Sequence, residues 1–211
     1  MTPRIEANVD DVFINCPFDA DYAATFEALI FAVYACGFRP RSALELSDAS
    51  QTRIDKLYGL IEECRYGIHD LSRTELDSAS GLPRFNMPLE LGIFLGAKRF
   101  GAGPQKFKRC LVLDVEPYRY QRFISDLSGM DITAHAGDSR RAIGCARDWL
   151  ANVSRRRLPG TGILLTHYDR FVAERPSIAA RLGFDAHRPP YGDFAAMLTE
   201  WLLAAPLPRA T

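Results

Sequence analysis

The sequence predicts an α/β fold in which a five-stranded, mainly parallel sheet is covered by helices on both faces. Short apolar runs, typical of buried strands, alternate with longer segments whose apolar residues recur every three or four positions. This alternation is typical of parallel sheets with crossover helices. Beyond residue 153 the helical spacing continues and no strand pattern returns. We therefore expect an α/β domain over residues 1–153 and a C-terminal helical extension over residues 154–211 packed on it.

The strand patterns are short and differ in how buried they should be. The first, Val12 to Cys16, is a short run that is apolar except for Asn15, and it predicts a buried strand. The second contains Pro40, which removes a backbone donor, so we expect it at an edge of the sheet. The third ends in the polar sequence Asp70-Leu71-Ser72. The five strand patterns lie at residues 12–16, 38–45, 65–72, 110–114 and 130–135.

The helical patterns follow the strands. The first begins at Tyr22 and is expected to stop at Gly37, since glycine is the common residue after a helix. The second is introduced by residues 47–50. A polar loop over residues 73–85 precedes the third, and a loop of this length in a compact domain is typically functional or mobile. The helical patterns lie at residues 22–36, 50–64, 86–99, 118–127 and 139–153, and, in the extension, near 163–182 and 193–204.

Charge and hydropathy exclude several classes of partner. Lys plus Arg and Asp plus Glu both total 26, so no net charge attracts the protein to nucleic acid or to anionic lipid. Apolar runs are interrupted by charges before they reach membrane-spanning length, and Met1 to Glu6 contain no apolar signal region. We expect a cytoplasmic protein without a nucleic-acid or membrane partner. The basic run Arg155 to Arg157 is expected to be a solvated helix end.

Cysteine and histidine positions do not indicate a metal site. The five cysteines are an odd number, widely spaced and without a CxxC pair, which predicts reduced core residues. His69 is expected to pack against the sheet, and His135, His167 and His187 have no ligand spacing. Neither a GxGxxG nor a GxxxxGK[ST] loop is present, so neither a dinucleotide-binding dehydrogenase nor a P-loop nucleotidase is supported. No cofactor is predicted.

The strongest candidate for chemistry is Glu90, near the start of the third helix. Asn86 is expected to cap that helix and Pro88 to lie where its missing N–H costs nothing. The helical neighbours of Glu90 are apolar, and its own helix face offers no basic partner, so a raised pKa is expected. The acid either complements the helix dipole or lies at the edge of a ligand pocket, and we expect the pocket.

Other polar and aromatic side chains follow the strand ends and can converge with Glu90. In parallel sheets wound on both faces, ligands bind outside the carboxyl ends of the strands. Each candidate also has an ordinary structural interpretation, either as a cap or loop residue or as a core aromatic. The candidate binding residues are Asn15, Phe18, Asp19, Tyr22, Asp70, Ser72 and Asn86.

Three segments carry a resemblance to known families. Val12 to Cys16 followed by Asp19 resembles the first box of TIR (Toll/interleukin-1 receptor) domains. Residues 50–72 are similar to the TIR segment that ends at the third strand. Asp70-Leu71-Ser72 with Asn86-x-x-x-Glu90-Leu91-Gly92 also resembles the related nucleoside 2-deoxyribosyltransferases. The likeness covers roughly residues 11–149. It departs from the TIR pattern in Asn15-Cys16-Pro17 and in the absence of a Trp-Cys pair before Glu90.

The resemblance implies a flavodoxin-like fold and a helix-opening glutamate that acts at an N-glycosidic bond, which places Glu90 in the catalytic role. It implies a bacterial NAD glycohydrolase, with NAD as substrate, that depletes NAD or forms cyclic ADP-ribose in defence or signalling. Phe18 and Tyr22 would then stack on a ring of NAD, and Asn86 and Ser72 would bind ribose hydroxyls. A homo-oligomer is implied as well.

Two alternatives follow from the same resemblance. A nucleoside 2-deoxyribosyltransferase or nucleotide N-glycosidase would need an acid in addition to a nucleophile, and Asp70 would be the candidate for that acid or for base recognition. A non-catalytic TIR interaction module would instead use the loop after the second strand and the C-terminal helices for its contacts.

Overall fold

The structure, a computed structural model of the 211-residue chain, describes residues 8–45, 50–76 and 81–207. Its strands form one all-parallel sheet with helices on both faces, which confirms the predicted flavodoxin-like three-layer α/β fold. The strands are β1 Asn8–Asn15, β2 Arg39–Arg41, β3 Cys64–Asp70, β4 Arg109–Asp114 and β5 Ile132–Ala134. The helices are α1 Ala23–Ala35, α2 Arg53–Glu63, α3 Asn86–Phe100, α4 Ser139–Ser154, α5 Thr161–Leu182 and α6 Tyr191–Ala204.

The strand order is β2-β1-β3-β4-β5, so the chain reverses its direction of winding between β1 and β3. Asn15, at the end of β1, pairs in register with His69 near the end of β3. The loops that follow these two strands lead to helices on opposite faces of the sheet and leave a crevice between them. This switch point is where doubly wound sheets bind ligands.

Alternate residues of the strands supply the two faces of the core. Val12 and Ile14 of β1 pack with α1 and α4 in one hydrophobic cluster. Phe13, between them, faces the other side and packs with α2 and with Phe94 of α3. Gly67 of β3 lies under Phe94, and a Cβ there would come within 2.9 Å of that ring, so only glycine allows α3 this close to the sheet.

The C-terminal helices α5 and α6 share the core of α1. Leu29, Ile30 and Phe31 of α1 are completely buried, because the sheet covers one side of the helix and the extension covers another. Phe31 stacks on Phe171 of α5 with 6.2 Å between the ring centroids. This double coverage explains why most residues of α1 are apolar, since a helix covered from two sides buries most of its surface.

Several predicted elements are confirmed with adjusted ends, but the helix expected over residues 118–127 is wrong. Two short 3₁₀ helices occupy that stretch, Arg119–Arg122 and Ser125–Leu127, and Tyr118 before them has a positive φ of 62°. The apolar residues of this stretch pack on Leu71 and β4. Their spacing imitates a helix although the backbone does not form one.

The expected cap of α3 is also wrong. Phe85 occupies the N-cap position without a side-chain hydrogen bond, and Asn86 is the first helical residue. The cap of α2 is Thr52, whose hydroxyl accepts the backbone N–H of Asp55 at 3.2 Å. Residues 47–49 of the predicted lead-in to α2 and residues 77–80 of the predicted loop lie outside the described residues.

A buried lysine joins α2, β3 and β4. Lys108 is 1% exposed, and its ammonium donates to the carbonyl oxygens of Ile61 and Cys64. The ammonium also lies 4.7 Å from the centre of the Phe94 ring. Burial lowers the pKa of Lys108 to about 8, so keeping the ammonium charged in this position reduces the free energy of unfolding.

Among the residues that the structure describes, no helix combines the length and the apolar character that crossing a membrane requires.

Candidate functional site

Glu90 lines a pocket of about 400 Å³ at the carboxyl end of the sheet, beside the switch point. The loop after β1, the first residue of α2 and the segment before α3 supply its other walls. Phe18 and Asn86, two of the predicted binding residues, lie in this wall with Glu90. The cavity is thus built from three separate parts of the chain. Its principal lining residues are Pro17, Phe18, Arg53, Arg84, Asn86 and Glu90.

The carboxylate of Glu90 is almost enclosed, with 6% of the residue exposed. Within residues 8–45, 50–76 and 81–207, it makes no hydrogen bond or ion pair. Burial raises its pKa to about 7, and the more distant charge of Arg53 opposes this shift. The predicted raised pKa is confirmed. Arg53 is a basic neighbour that the sequence of α3 alone did not reveal.

The position of Glu90 along α3 argues against the helix-dipole interpretation. With Phe85 as the cap, Glu90 is the fifth residue of the helix, and no acidic residue lies in the first turn. The effect of the dipole declines within the first turn, where the free N–H groups lie. The carboxylate is therefore placed for the pocket.

Asn15 holds the start of α3 against the sheet. Its side-chain amide donates to the carbonyl oxygen of Met87 at 2.9 Å and to Nδ1 of His69 at 3.0 Å. Asn15 is 2% exposed and does not line the Glu90 pocket. The predicted binding residue is thus placed as a positioning residue beneath the turn that precedes Glu90. His69 packs between Phe13 and Phe94, as expected of a sheet-packing histidine.

Asp19 connects the two loops that border the pocket. Its carboxylate accepts hydrogen bonds from Arg73 at 3.1 Å and from Arg84 at 2.8 Å, and Tyr22 N–H donates to it at 3.0 Å. Burial alone would raise the pKa of Asp19, but the two arginines outweigh it and lower that pKa. Asp19 therefore holds the loop after β1 to the segment before α3.

A second pocket of about 380 Å³ adjoins the first, and Phe18 lines both. Phe18 is 39% exposed and meets Phe26 edge to face, with 5.5 Å between the ring centroids. Tyr191, the first residue of α6, lies 6.0 Å beyond Phe26. Asp19 and Arg188 supply charged groups to the same wall. The extension therefore contributes directly to a cavity beside the candidate site.

Three predicted binding residues form a separate, enclosed cluster. Asp70 is fully buried, and its carboxylate accepts the hydroxyl of Tyr22 at 2.5 Å and the backbone N–H of Ser72 at 2.8 Å. His135 Nε2 lies 2.9 Å from the same carboxylate and 2.8 Å from Ser72 Oγ. Burial alone would raise the pKa of Asp70, but these hydrogen bonds outweigh it and lower that pKa.

This cluster is not a nucleophilic serine site. Gly137 N–H donates to His135 Nδ1 at 3.1 Å, so in the neutral ring the proton resides on Nε2. Asp70 and Ser72 both meet that same nitrogen, whereas a catalytic triad places the acid and the nucleophile on opposite nitrogens. Ser72 is also 5% exposed. The cluster instead joins the ends of β3 and β5 to the start of α1.

Of the eight predicted site residues, three line the Glu90 pocket, three form the Asp70 cluster, and Asn15 and Asp19 belong to neither. Tyr22 is 4% exposed, so its ring has no free face on which a base could stack. Cys16 lies between the groups: burial raises the pKa of its thiol, and the charges of Asp70, Glu90 and Asp19 raise it further. The sequence analysis did not predict His135 as a member of this cluster. Its position directly after β5 is the same strand-end position that identified the other candidates.

Among the described parts of the chain, no group of three His, Cys, Asp or Glu side chains is arranged to hold a metal ion.

Comparison of the chain with known protein families, with curated proteins and with solved structures finds no match.

Proposed function

We propose that this protein cleaves the N-glycosidic bond between nicotinamide and ribose in NAD, with Glu90 as the catalytic carboxylate. The observation that supports this proposal is a nearly buried carboxylate without a hydrogen-bond partner in the described chain, on the wall of a pocket at the switch point of the sheet. Enclosed acids with shifted pKa values are typical of functional sites.

The reaction suits a single carboxylate. When the bond between C1′ and the pyridinium nitrogen breaks, its electron pair stays on nicotinamide, which leaves as a neutral molecule. An oxocarbenium-like centre remains on the ribose, and the oxygen of a water molecule adds to C1′ and releases a proton. Ionised Glu90 would stabilise the developing positive charge and orient the ribose. Because its pKa is about 7, turnover should rise with pH through neutrality.

Two adjacent pockets favour a dinucleotide over a nucleoside. The pockets of about 400 and 380 Å³ share Phe18, and NAD has two nucleoside halves joined by a diphosphate. The nicotinamide ribose would occupy the Glu90 pocket, and the adenosine half would reach the aromatic pocket beside Tyr191. Arg53, at the pocket wall, would supply positive charge for the diphosphate.

The alternatives have less support. A deoxyribosyltransferase needs an acid beside its nucleophile, and the expected residue, Asp70, is fully buried among hydrogen-bond donors. A scaffold module has no need of an enclosed carboxylate at Glu90, whose ionisation costs folding free energy. The nucleoside reaction is checked by incubating the protein with a purine deoxynucleoside and a pyrimidine base, and base exchange would favour it over NAD cleavage.

We also propose that the active form is a homo-oligomer. Large apolar side chains are exposed near the segment that leads into α3, namely Leu76 at 69%, Phe85 at 65% and Leu89 at 55%. A cluster of this kind beside a pocket marks a contact surface. Turnover per molecule should then rise with protein concentration, and Leu89→Lys should lower both the sedimentation coefficient and turnover.

The free thiols of all five cysteines favour the reducing cytoplasm as the site of action.

The deciding experiment incubates concentrated protein with NAD and follows nicotinamide and ADP-ribose species by chromatography. Glu90→Gln should fold and lose nicotinamide release by at least about a hundredfold. Glu116→Gln is the matched control, since Glu116 is exposed and distant in sequence from the pocket lining, and it should retain turnover. Release that persists in Glu90→Gln would contradict the catalytic assignment.

A further inference from the structure

A third pocket, of about 690 Å³, lies at the opposite edge of the sheet from Glu90. It is formed where β3 and β4 begin and α4 ends, so it opens at the amino ends of the strands. Four arginines line it, Arg65 from β3, Arg109 from β4, and Arg155 and Arg156 after α4. We call this the arginine pocket. The chain as a whole has a net charge of zero, so positive charge is concentrated here.

Within the described parts of the chain, three of the four arginines have no ion-pair partner. Arg156 is paired with Asp10. Arg65, Arg109 and Arg155 make no ion pair or hydrogen bond within the described parts of the chain, and Nε of Arg65 is buried without a partner. A buried donor that lacks an acceptor costs folding free energy, typically about 1–3 kcal/mol. Among the described residues, the pocket therefore contains one buried donor without an acceptor, Nε of Arg65, and two exposed guanidinium groups without an ion pair, those of Arg109 and Arg155.

Other arginines of this protein are neutralised where they converge. Arg41 binds Asp11, Glu45 and Glu63 together. The arginine pocket lacks such acidic partners among the described residues, apart from Asp10 at Arg156. Interaction with the α4 helix dipole explains the position of only some of its arginines. Arg155 and Arg156 follow the carboxyl end of α4, where cations are favourable, but Arg65 and Arg109 start strands and have no such reason to converge.

The walls of the pocket indicate what kind of ligand would fit. Tyr66, the one aromatic residue among its described lining residues, is 3% exposed and offers no face for stacking a base. Recognition would depend on charge and hydrogen bonds. Guanidinium groups match phosphate oxygens as two-pronged donors. The volume lies within the range of small-molecule sites and exceeds what one phosphate ion needs.

We propose that the arginine pocket binds an anion that carries two or more phosphate groups, with Arg65, Arg109 and Arg155 as its ligands. Neither a free base nor a neutral sugar would be held there. The site is separate from Glu90 and does not depend on the proposed NAD cleavage. Either inorganic polyphosphate or the phosphate chain of a nucleotide would supply this chemistry.

The test is isothermal titration of the full-length protein with inorganic pyrophosphate and triphosphate. Binding should weaken about tenfold or more in Arg65→Gln and in Arg109→Gln, since each removes charged hydrogen bonds. Arg122→Gln is the matched control, because Arg122 is exposed and lies outside the pocket, and it should change affinity less than about twofold. Thermal unfolding of each variant verifies that it is folded.

Two further arms separate the possible sources and sites. Titration with ATP shows whether a nucleoside adds affinity beyond triphosphate, and equal affinity identifies the phosphates alone as the recognised group. Arg53→Gln removes positive charge from the Glu90 pocket, and a smaller loss of pyrophosphate binding in that variant than in Arg65→Gln assigns the anion to the arginine pocket. Absence of binding at millimolar pyrophosphate, or an equal loss in Arg122→Gln and Arg65→Gln, would overturn the proposal.

Discussion

Replacing Glu90 with glutamine should make the protein more stable above neutral pH. The pKa of Glu90 is raised from 4.5 to about 7 in the folded chain, while in the unfolded chain it returns to its ordinary value. Between these two pH values the folded state binds more protons than the unfolded state, so the free energy of unfolding falls as pH rises. Glutamine has the same shape and carries no charge.

The magnitude follows from the two pKa values. A shift from 4.5 to about 7, at about 1.36 kcal/mol per pKa unit, corresponds to roughly 3 kcal/mol of unfolding free energy. Below about pH 4.5 the carboxyl group is protonated in both states, and the wild type suffers no penalty. Above pH 7 it is charged in both states and the penalty is complete. For a chain of this size the gain corresponds to a melting temperature roughly 6–12 °C higher.

The assay is chemical denaturation of wild type and Glu90→Gln at several pH values from 5 to 8. The stability difference should be small at pH 5 and should grow to its full value by pH 8. Glu116→Gln, at an exposed position, should show no comparable growth. A stability difference that does not change with pH, or a variant less stable at pH 8, would refute the enclosed-carboxylate argument. The expected gain in stability with a loss of turnover is typical of functional residues.

Three further perturbations follow from the buried polar groups. Burial lowers the pKa of Lys108 from 10.5 to about 8, so its charge destabilises the folded protein below pH 8. As pH rises from 8 to 10.5, the unfolding free energy of wild type should increase by up to about 3 kcal/mol relative to that of Lys108→Met, measured by chemical denaturation. Tyr22→Phe removes one donor from the buried Asp70 carboxylate and should cost about 1–3 kcal/mol in the same assay at pH 7. Asn15→Ala leaves the Met87 carbonyl oxygen without its hydrogen-bond donor, so it should destabilise the protein by about 1–3 kcal/mol and lower NAD turnover. Unchanged turnover in a folded variant would contradict the positioning role of Asn15.

Positions along the chain that depend on local patterning were well predicted. The apolar run at Val12 reflects a strand buried on both faces of the sheet, and the helical spacing after Tyr22 reflects the 3.6-residue period of a helix. The edge position of β2 followed from Pro40, and the end of α1 just before Gly37 followed from the residue type, since glycine readily adopts the positive φ that it has here, 76°. The two 3₁₀ helices after β4 were not predictable, because burial of their apolar residues requires only spacing and not a continuous helix.

Local sequence patterns predicted the α/β architecture, and the apolar neighbours of Glu90 predicted its raised pKa. Only the tertiary structure decided which strand-end residues share the Glu90 pocket. Phe18 and Asn86 do, whereas Tyr22, Asp70 and Ser72 are enclosed with His135. Sequence spacing places a residue on one helix or strand, but contacts between these elements depend on how the helices pack on the sheet. The sequence therefore predicted neither the proximity of Arg53 to Glu90 nor the arginine pocket.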